Sequence, residues 1–407
     1  MVRIGSTLRA KHIPAMSAAL AVLLAVALTT AAGVAAADGV PGAGTSDPRV
    51  VASHPVHNRV VALPAASSTT FIRYTSISVR GTPTQMTGTL LLPRGVPPAG
   101  GWPLAVWNHE TTGGADACAP SGARSGDPDV AAMTTGDEIV SGLLARGFAV
   151  VRPDFEGLGG PGPHPYLIGH SLARSAIDAA VAVARADPRI GRDVVVAGHS
   201  EGAVAALFAA GAPESQWRGL HLRGVSAVAP PSGIVDAFEP FAEIPVAGPA
   251  VSELTGLAAL VISGGMAAGP DFAALMVDGG LSPRARHLLA QIETRCYSGL
   301  IRPDSFGGLA PSGFLGSRGE QARRAIIDLV DRNDVAGLRI RPDLPIRLDA
   351  GTFDTVAPAP TVAALADRYR AQGSAVTVAT HATTHALLPS QPSAATGIVR
   401  WLVGVAG

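Results

Sequence analysis

Three side chains far apart in the chain are of the types needed to relay a proton and attack a carbonyl: Ser200, Asp354 and His385. Ser200 lies in Gly198-His199-Ser200-Glu201-Gly202, between the apolar run 193–197 and the small-residue run 203–210. This flanking pattern predicts a strand, a tight turn and a helix. In that setting G-x-S-x-G is a nucleophile elbow, whose glycines let two backbones pass closely. With 48 Gly in the chain the pentapeptide can arise by chance, so its position carries the reading. Gly169-His170-Ser171 repeats its first three letters with no strand before it, and Ser171 is expected to be a helix N-cap.

A relay of this kind takes its acid from the loop after one later strand and its base from the loop after the next. Asp354 stands at the tip of the loop that follows 346–350, whereas its rival Asp349 lies inside that predicted strand. The bland alternative for Asp354 is an aspartate that favours a turn. Only His381 and His385 follow it; His385 is in the loop past the strand, and His381, close to the strand, is expected to bond nearby backbone. The imidazole would take the Ser200 proton and return it to the leaving group, while Asp354 fixes its tautomer. The oxyanion needs two backbone N–H donors, expected from Glu201 and from Thr111 or Thr112 in the loop 108–113. The alternative for that loop is a polar turn without a catalytic part.

Such a relay requires a sheet that presents its strand ends on one rim. Of the 407 residues 47% are hydrophobic and 15% charged, enough for one large domain with an insertion or for two domains. Short strands are predicted over 70–80, 88–92, 104–107, 148–152, 194–197 and 225–228, with helices over 138–145 and 172–186, an alternation that implies an α/β fold with a mostly parallel sheet. From 232 to 341 the pattern is helical, which marks an insertion. Strand and helix return in 342–407, so 67–231 and 342–407 form the core, and 38–66 reads as a loose N-terminal arm. Val246, Leu254, Leu257, Leu260, Val261, Ile262 and Met266 in the insertion form either an acyl-binding wall or ordinary helix packing.

Arg3, Arg9 and Lys11 precede an uncharged stretch 13–37 that ends in Ala35-Ala36-Ala37, so 1–37 reads as a Sec-type signal peptide cleaved before Asp38; an uncleaved membrane anchor is the alternative. Cys118 and Cys296, the two cysteines, would pair in an oxidising compartment, or else be buried free thiols. Net charge is +0 and no Lys/Arg cluster interleaves with aromatics, which excludes a nucleic-acid binder and favours neutral substrates. His54, His57 and His221 show no metal-ligand spacing, so neither a metal nor a cofactor is expected, and no protein partner is inferred.

Residues 107–113, Trp-Asn-His-Glu-Thr-Thr-Gly, resemble the W-x-H-G-T-T-G loop of capped secretory lipases, and 154–167 resemble their D-Y-E-G-L-G-T-P-G-x-H-P-Y-L segment. The likeness covers about 70–405. It implies the α/β-hydrolase fold with a helical cap inserted after the sixth core strand, secretion, and hydrolysis of fatty-acyl esters with transient contact with a lipid interface. Position by position, it implies Ser200, Asp354 and His385 as the relay, an oxyanion donor at Thr111, and a bond from Cys118 to Cys296 tying a core loop to the cap. Glu110 departs from the pattern, standing where relatives usually have glycine; a side chain there would narrow the pocket or alter the loop. His164 and Tyr166 read as loop scaffolding, with pocket lining second. The alternatives for function are an acyltransferase with the same relay, a serine peptidase and a non-catalytic lipid binder.

Overall fold

The computed structural model describes residues 47–407, and the expected export signal lies outside the described residues. The strands are β1 (Val50–Pro55), β2 (Ser68–Ile77), β3 (Pro83–Leu92), β4 (Trp102–Asn108), β5 (Ala149–Pro153), β6 (Ile190–His199), β7 (His221–Val228), β8 (Ile346–Gly351) and β9 (Val376–His381). They form one sheet in the order β1-β2-β3-β5-β4-β6-β7-β8-β9. From β5 to β9 the neighbours are parallel, while β1, β2 and β3 are added antiparallel at one edge. The fold is that of an α/β-hydrolase with a mostly parallel sheet.

The centre of the sheet is buried on both faces, which explains why its strands read as continuous apolar runs. Val194, Val195 and Val196 in β6 are fully buried, as are Leu104 and Val106 in β4. The helix Glu201–Gly211 lies close to the sheet because most of its side chains are Ala or Gly. The helix Gly169–Ala186 covers the same face through Leu172, Ala176, Ala179, Ala180 and Val183, and Asp137–Leu144 and Pro392–Ala406 cover the other.

Two expectations are corrected. Residues 38–66 are not loose throughout, because β1 pairs antiparallel with β2 and Arg185 binds both Asp47 and the Pro48 carbonyl. The side chains of β1 are almost all exposed, so it is held by backbone bonds to an edge and leaves no apolar alternation to read. Nor is Ser171 an N-cap. Its helix starts at Gly169, whose amide donates to the Asn333 side chain at 2.9 Å, so a residue from far along the chain takes the capping role. Ser171 is left buried in the first turn, donating to Glu156.

Between β7 and β8 the chain leaves the sheet for a helical insertion that includes Ile234–Ala242, Pro249–Ala268 and Gly319–Arg332. It has its own apolar cluster, with Leu260, Ile262, Met276, Phe306, Phe314 and Ile326 among its members, joined by Tyr166 from the core. Pro249–Ala268 is apolar and long enough to cross a membrane, but half of its apolar window is buried in the protein. The Cys118–Cys296 disulfide joins the loop after β4 to the insertion. Gly113 also forms a β-bridge with Cys296, and Ser298 donates to both carboxylate oxygens of Asp129.

Candidate active site

Ser200 occupies the turn between β6 and the helix Glu201–Gly211 with φ 55° and ψ −116°, a region that non-glycine residues rarely adopt. The close passage of backbones fixes its neighbours. A Cβ on Gly198 would lie 2.1 Å from the Gly202 carbonyl oxygen, and one on Gly202 would lie 2.1 Å from that of Asn108. The Ser200 amide donates to the Val228 carbonyl at 2.9 Å, which ties the turn to the end of β7.

The structure brings the three predicted residues together on one rim. Ser200 Oγ lies 2.8 Å from His385 Nε2, and His385 Nδ1 lies 2.7 Å from Asp354 Oδ2. The other carboxylate oxygen accepts from the amides of Val356 and Ala357 at 2.8 and 2.7 Å. Asp354 is buried in this cradle and acts only as an acceptor, the arrangement that holds an imidazole with Nδ1 protonated. The rivals form a separate group: Asp349 accepts from Arg347 at 2.7 and 2.8 Å and faces His381 Nε2 at 2.9 Å. His381 therefore bonds a side chain, not the nearby backbone.

Glu201 opens its helix, so its backbone N–H belongs to the first turn, which has no intrahelical acceptors. Across the cleft Thr111 is fixed by its hydroxyl, 2.7 Å from Tyr166 Oη, and the Thr112 carbonyl accepts from the Tyr297 amide at 2.9 Å. Tyr166 thus lines the site as well as supporting its loop.

Several contacts of the site are not legible in the sequence. The His164 ring, held by the Glu156 carbonyl at 2.8 Å, meets Glu201 Oε1 at 2.9 Å in a fully buried pair. Burial pushes the His164 pKa down, but the charge and hydrogen bond of Glu201, with Glu156, outweigh it and carry the pKa above the ordinary histidine value. His109 goes the other way: burial lowers it to about 3, so its ring is neutral. Glu110 accepts from Thr135 Oγ1 and approaches His199 Nδ1 at 3.4 Å, and its burial raises its pKa from 4.5 to about 7. The signals available for these were the membership of His109, His164 and Tyr166 in family-like loops and the departure of Glu110 from the pattern, none of which names the partners.

Two cavities meet at Ser200. One, of about 740 Å³, is bounded by Glu110, Thr111, Thr135, Tyr297, Phe353 and His385 among others. The second, of about 260 Å³, has no charged residue in its wall and is lined by Phe238, Phe241, Leu254, Leu257, Val261 and Val330 among others. Leu257 and Val261 thereby combine wall and packing roles, whereas Leu254 lines the wall and stays exposed.

A serine in a strained elbow, an imidazole and a buried carboxylate meet within hydrogen-bond reach on the rim of this α/β-hydrolase sheet, the geometry of a candidate serine–histidine–aspartate site. The chain belongs to the secretory lipase family, whose family model matches residues 128–404, and is a lipase-like carboxylic ester hydrolase. Among solved structures it is similar to lipase A of Candida antarctica in its closed state, at 19% identity and TM-score 0.69 over 86% of this chain and 82% of that one. It is also similar to the rice cell wall degrading esterase LipA of Xanthomonas oryzae, at 18% identity and TM-score 0.64 over 88% and 96% of the two chains. A third is a putative hydrolase of Legionella pneumophila, at 18% identity and TM-score 0.62 over 83% and 88%. No curated protein matches the chain.

Proposed function

We propose that this chain is an exported serine hydrolase that cleaves fatty-acyl esters through an acyl-enzyme on Ser200. The observation that carries the reading is the unbroken relay Ser200–His385–Asp354, with contacts of 2.8 and 2.7 Å. The Ser200 hydroxyl donates to His385 Nε2. As Oγ attacks the ester carbonyl its proton passes to Nε2, and the imidazolium donates Nδ1–H to Asp354. The Glu201 amide and the amide of Thr111 receive the oxyanion. Collapse of the tetrahedral intermediate breaks the bond to the alcohol, which leaves with the Nε2 proton. Water then gives a proton to His385 and attacks the acyl carbonyl, releasing a carboxylic acid and restoring the serine.

The two cavities divide the substrate. The uncharged pocket suits the acyl chain and the larger cavity the alcohol. The helices between β7 and β8, residues 232–341, act as a cap that walls the acyl pocket. Export rests on the charged, apolar and small-residue pattern of 1–37 and on the family.

The test uses purified protein, a fluorophosphonate probe and a chain-length series of p-nitrophenyl esters. Labelling and hydrolysis are expected in wild type and absent in Ser200→Ala. Ester hydrolysis undiminished in Ser200→Ala would overturn the proposal.

A further inference from the structure

The feature of the site that the relay does not use is the Glu110 carboxyl. It stands on the loop after β4, with its side chain 13% exposed, in the wall of the cavity that contains Ser200 and His385. One oxygen accepts from Thr135, a residue anchored in turn by its own carbonyl, which accepts from Trp107 Nε1 at 3.2 Å. The other oxygen lies 3.4 Å from His199 Nδ1. His199 is completely buried immediately before the nucleophile; neither of its ring nitrogens makes a well-formed hydrogen bond among the described residues, and the His385 backbone is the one group that reaches the ring closely enough to act on its charge as a weak hydrogen-bond partner. Its ring packs on that of His385, with centroids 4.8 Å apart and planes tilted by 40°.

We infer that Glu110 is a positioning residue for ester hydrolysis: through the His199 ring it holds the His385 imidazole over Ser200. The inference rests on the proposed roles of Ser200 and His385. A buried neutral ring with no well-formed hydrogen bond is held mainly by packing, so it can turn, and His385, whose ring and backbone both meet it, would follow. Glu110, held at its far oxygen by Thr135, supplies a side-chain polar contact on the Nδ1 side of His199. At 3.4 Å this contact is longer than a settled hydrogen bond, and it becomes one when the carboxyl is protonated and donates to Nδ1.

Protonation of Glu110 falls near neutral pH. Burial holds the carboxyl as an acid up to about 7, opposed by the Thr135 bond and by the positive charge of His385. Burial also keeps His199 uncharged, which leaves it a lone pair to accept with. The other titratable groups that face Glu110 are Tyr166 from the loop after β5 and Tyr297 from the insertion, and Asp129, Glu138 and Glu253 line the same cavity. An ionised Glu110 and a positive charge on His385 attract one another, so the Glu110 charge bears on the step in which the imidazole takes up the Ser200 proton.

Glu110→Gln and Glu110→Ala separate this role from simple packing, assayed as kcat, KM and a pH profile of kcat/KM on p-nitrophenyl butyrate with thermal unfolding alongside. The amide of Gln can still accept from Thr135 and donate to His199 without titrating. Glu110→Ala is expected to lower kcat roughly tenfold to a hundredfold with KM within about twofold of wild type. Glu110→Gln is expected to keep kcat within about threefold while the acid limb of its profile moves down by about half a pH unit. Wild-type kcat in both variants, or an equal loss of kcat in both with an unshifted acid limb, would overturn the inference. If Glu110→Ala does not fold, the Glu110→Gln profile decides. Ser200→Ala under the same assay reports separately on the proposed function, since its loss of activity leaves Glu110 free to fail alone.

Discussion

The Tyr297 amide donates to the Thr112 carbonyl at 2.9 Å, one residue from the half-cystine Cys296 and one from Thr111. The insertion thus grips the loop that borders the nucleophile at three adjacent points: this bond, the Gly113–Cys296 bridge and the disulfide. Cys118→Ser/Cys296→Ser releases a crosslink between residues 178 apart, which on the loop-entropy model stabilises the fold by about 5 kcal/mol. Amide exchange is expected to rise at 111–114 and 296–300 well before the sheet strands, with kcat down roughly threefold to tenfold at a temperature where the variant is folded. Equal exchange gains in β6 and in 296–300 would contradict this.

Asp354 has no free acceptor: one oxygen serves His385 and the other serves two amides. An asparagine can keep the amide bonds only by turning its NH₂ toward His385, which forces the wrong tautomer. Asp354→Asn should lower kcat by about 10⁴ with the protein still folded, read by steady-state kinetics together with circular dichroism.

The buried His164–Glu201 pair supports the first turn of the helix that follows Ser200. Because the folded pKa of His164 is raised, its contribution to stability is complete below the unfolded value of 6.5 and is lost as pH rises through the folded pKa. His164→Gln leaves Glu201 buried without its cation and should cost about 3 to 5 kcal/mol at pH 6. The gap to wild type should narrow toward pH 9; denaturant unfolding at both pH values measures it, and a gap that widens would refute the assignment.

Val261 lines the uncharged pocket next to Leu257, which faces both cavities. Val261→Trp should block that pocket for long acyl chains. Its kcat/KM on p-nitrophenyl laurate is expected to fall at least about tenfold relative to the butyrate. An unchanged ratio would place the acyl chain elsewhere.

Glu110, Asp129, Glu138 and Glu253 line the larger cavity, and neither Lys nor Arg does. An ester with a sulfonate on its alcohol should therefore react more slowly than a neutral ester of the same acyl chain. Added salt should reduce the difference, since it screens the exposed members of the group. A salt-independent ratio would show that charge is not its origin.

The elbow was legible because steric demands there are local: only glycine fits at 198 and 202, and the strand and helix around them announce themselves by apolar runs. Asp354 and His385 followed from chain order, since each strand end of a parallel sheet delivers its loop to the same rim. β1 and the start of the helix at Gly169 were not legible. One is held by backbone bonds to a neighbouring strand, and the other is capped by Asn333 from the insertion.

From the sequence alone come the order of elements, the residues proposed for the relay and the reaction class they imply, because these depend on residue type and on neighbours a few positions away. Tertiary structure alone decided which buried polar groups meet: His164 with Glu201, Tyr166 with Thr111, and Glu110 with Thr135 and His199. Such pairs are set by how distant loops pack over the rim. A charge or hydroxyl removed from water takes whichever partner that packing brings within reach, and no local pattern in the chain records the choice.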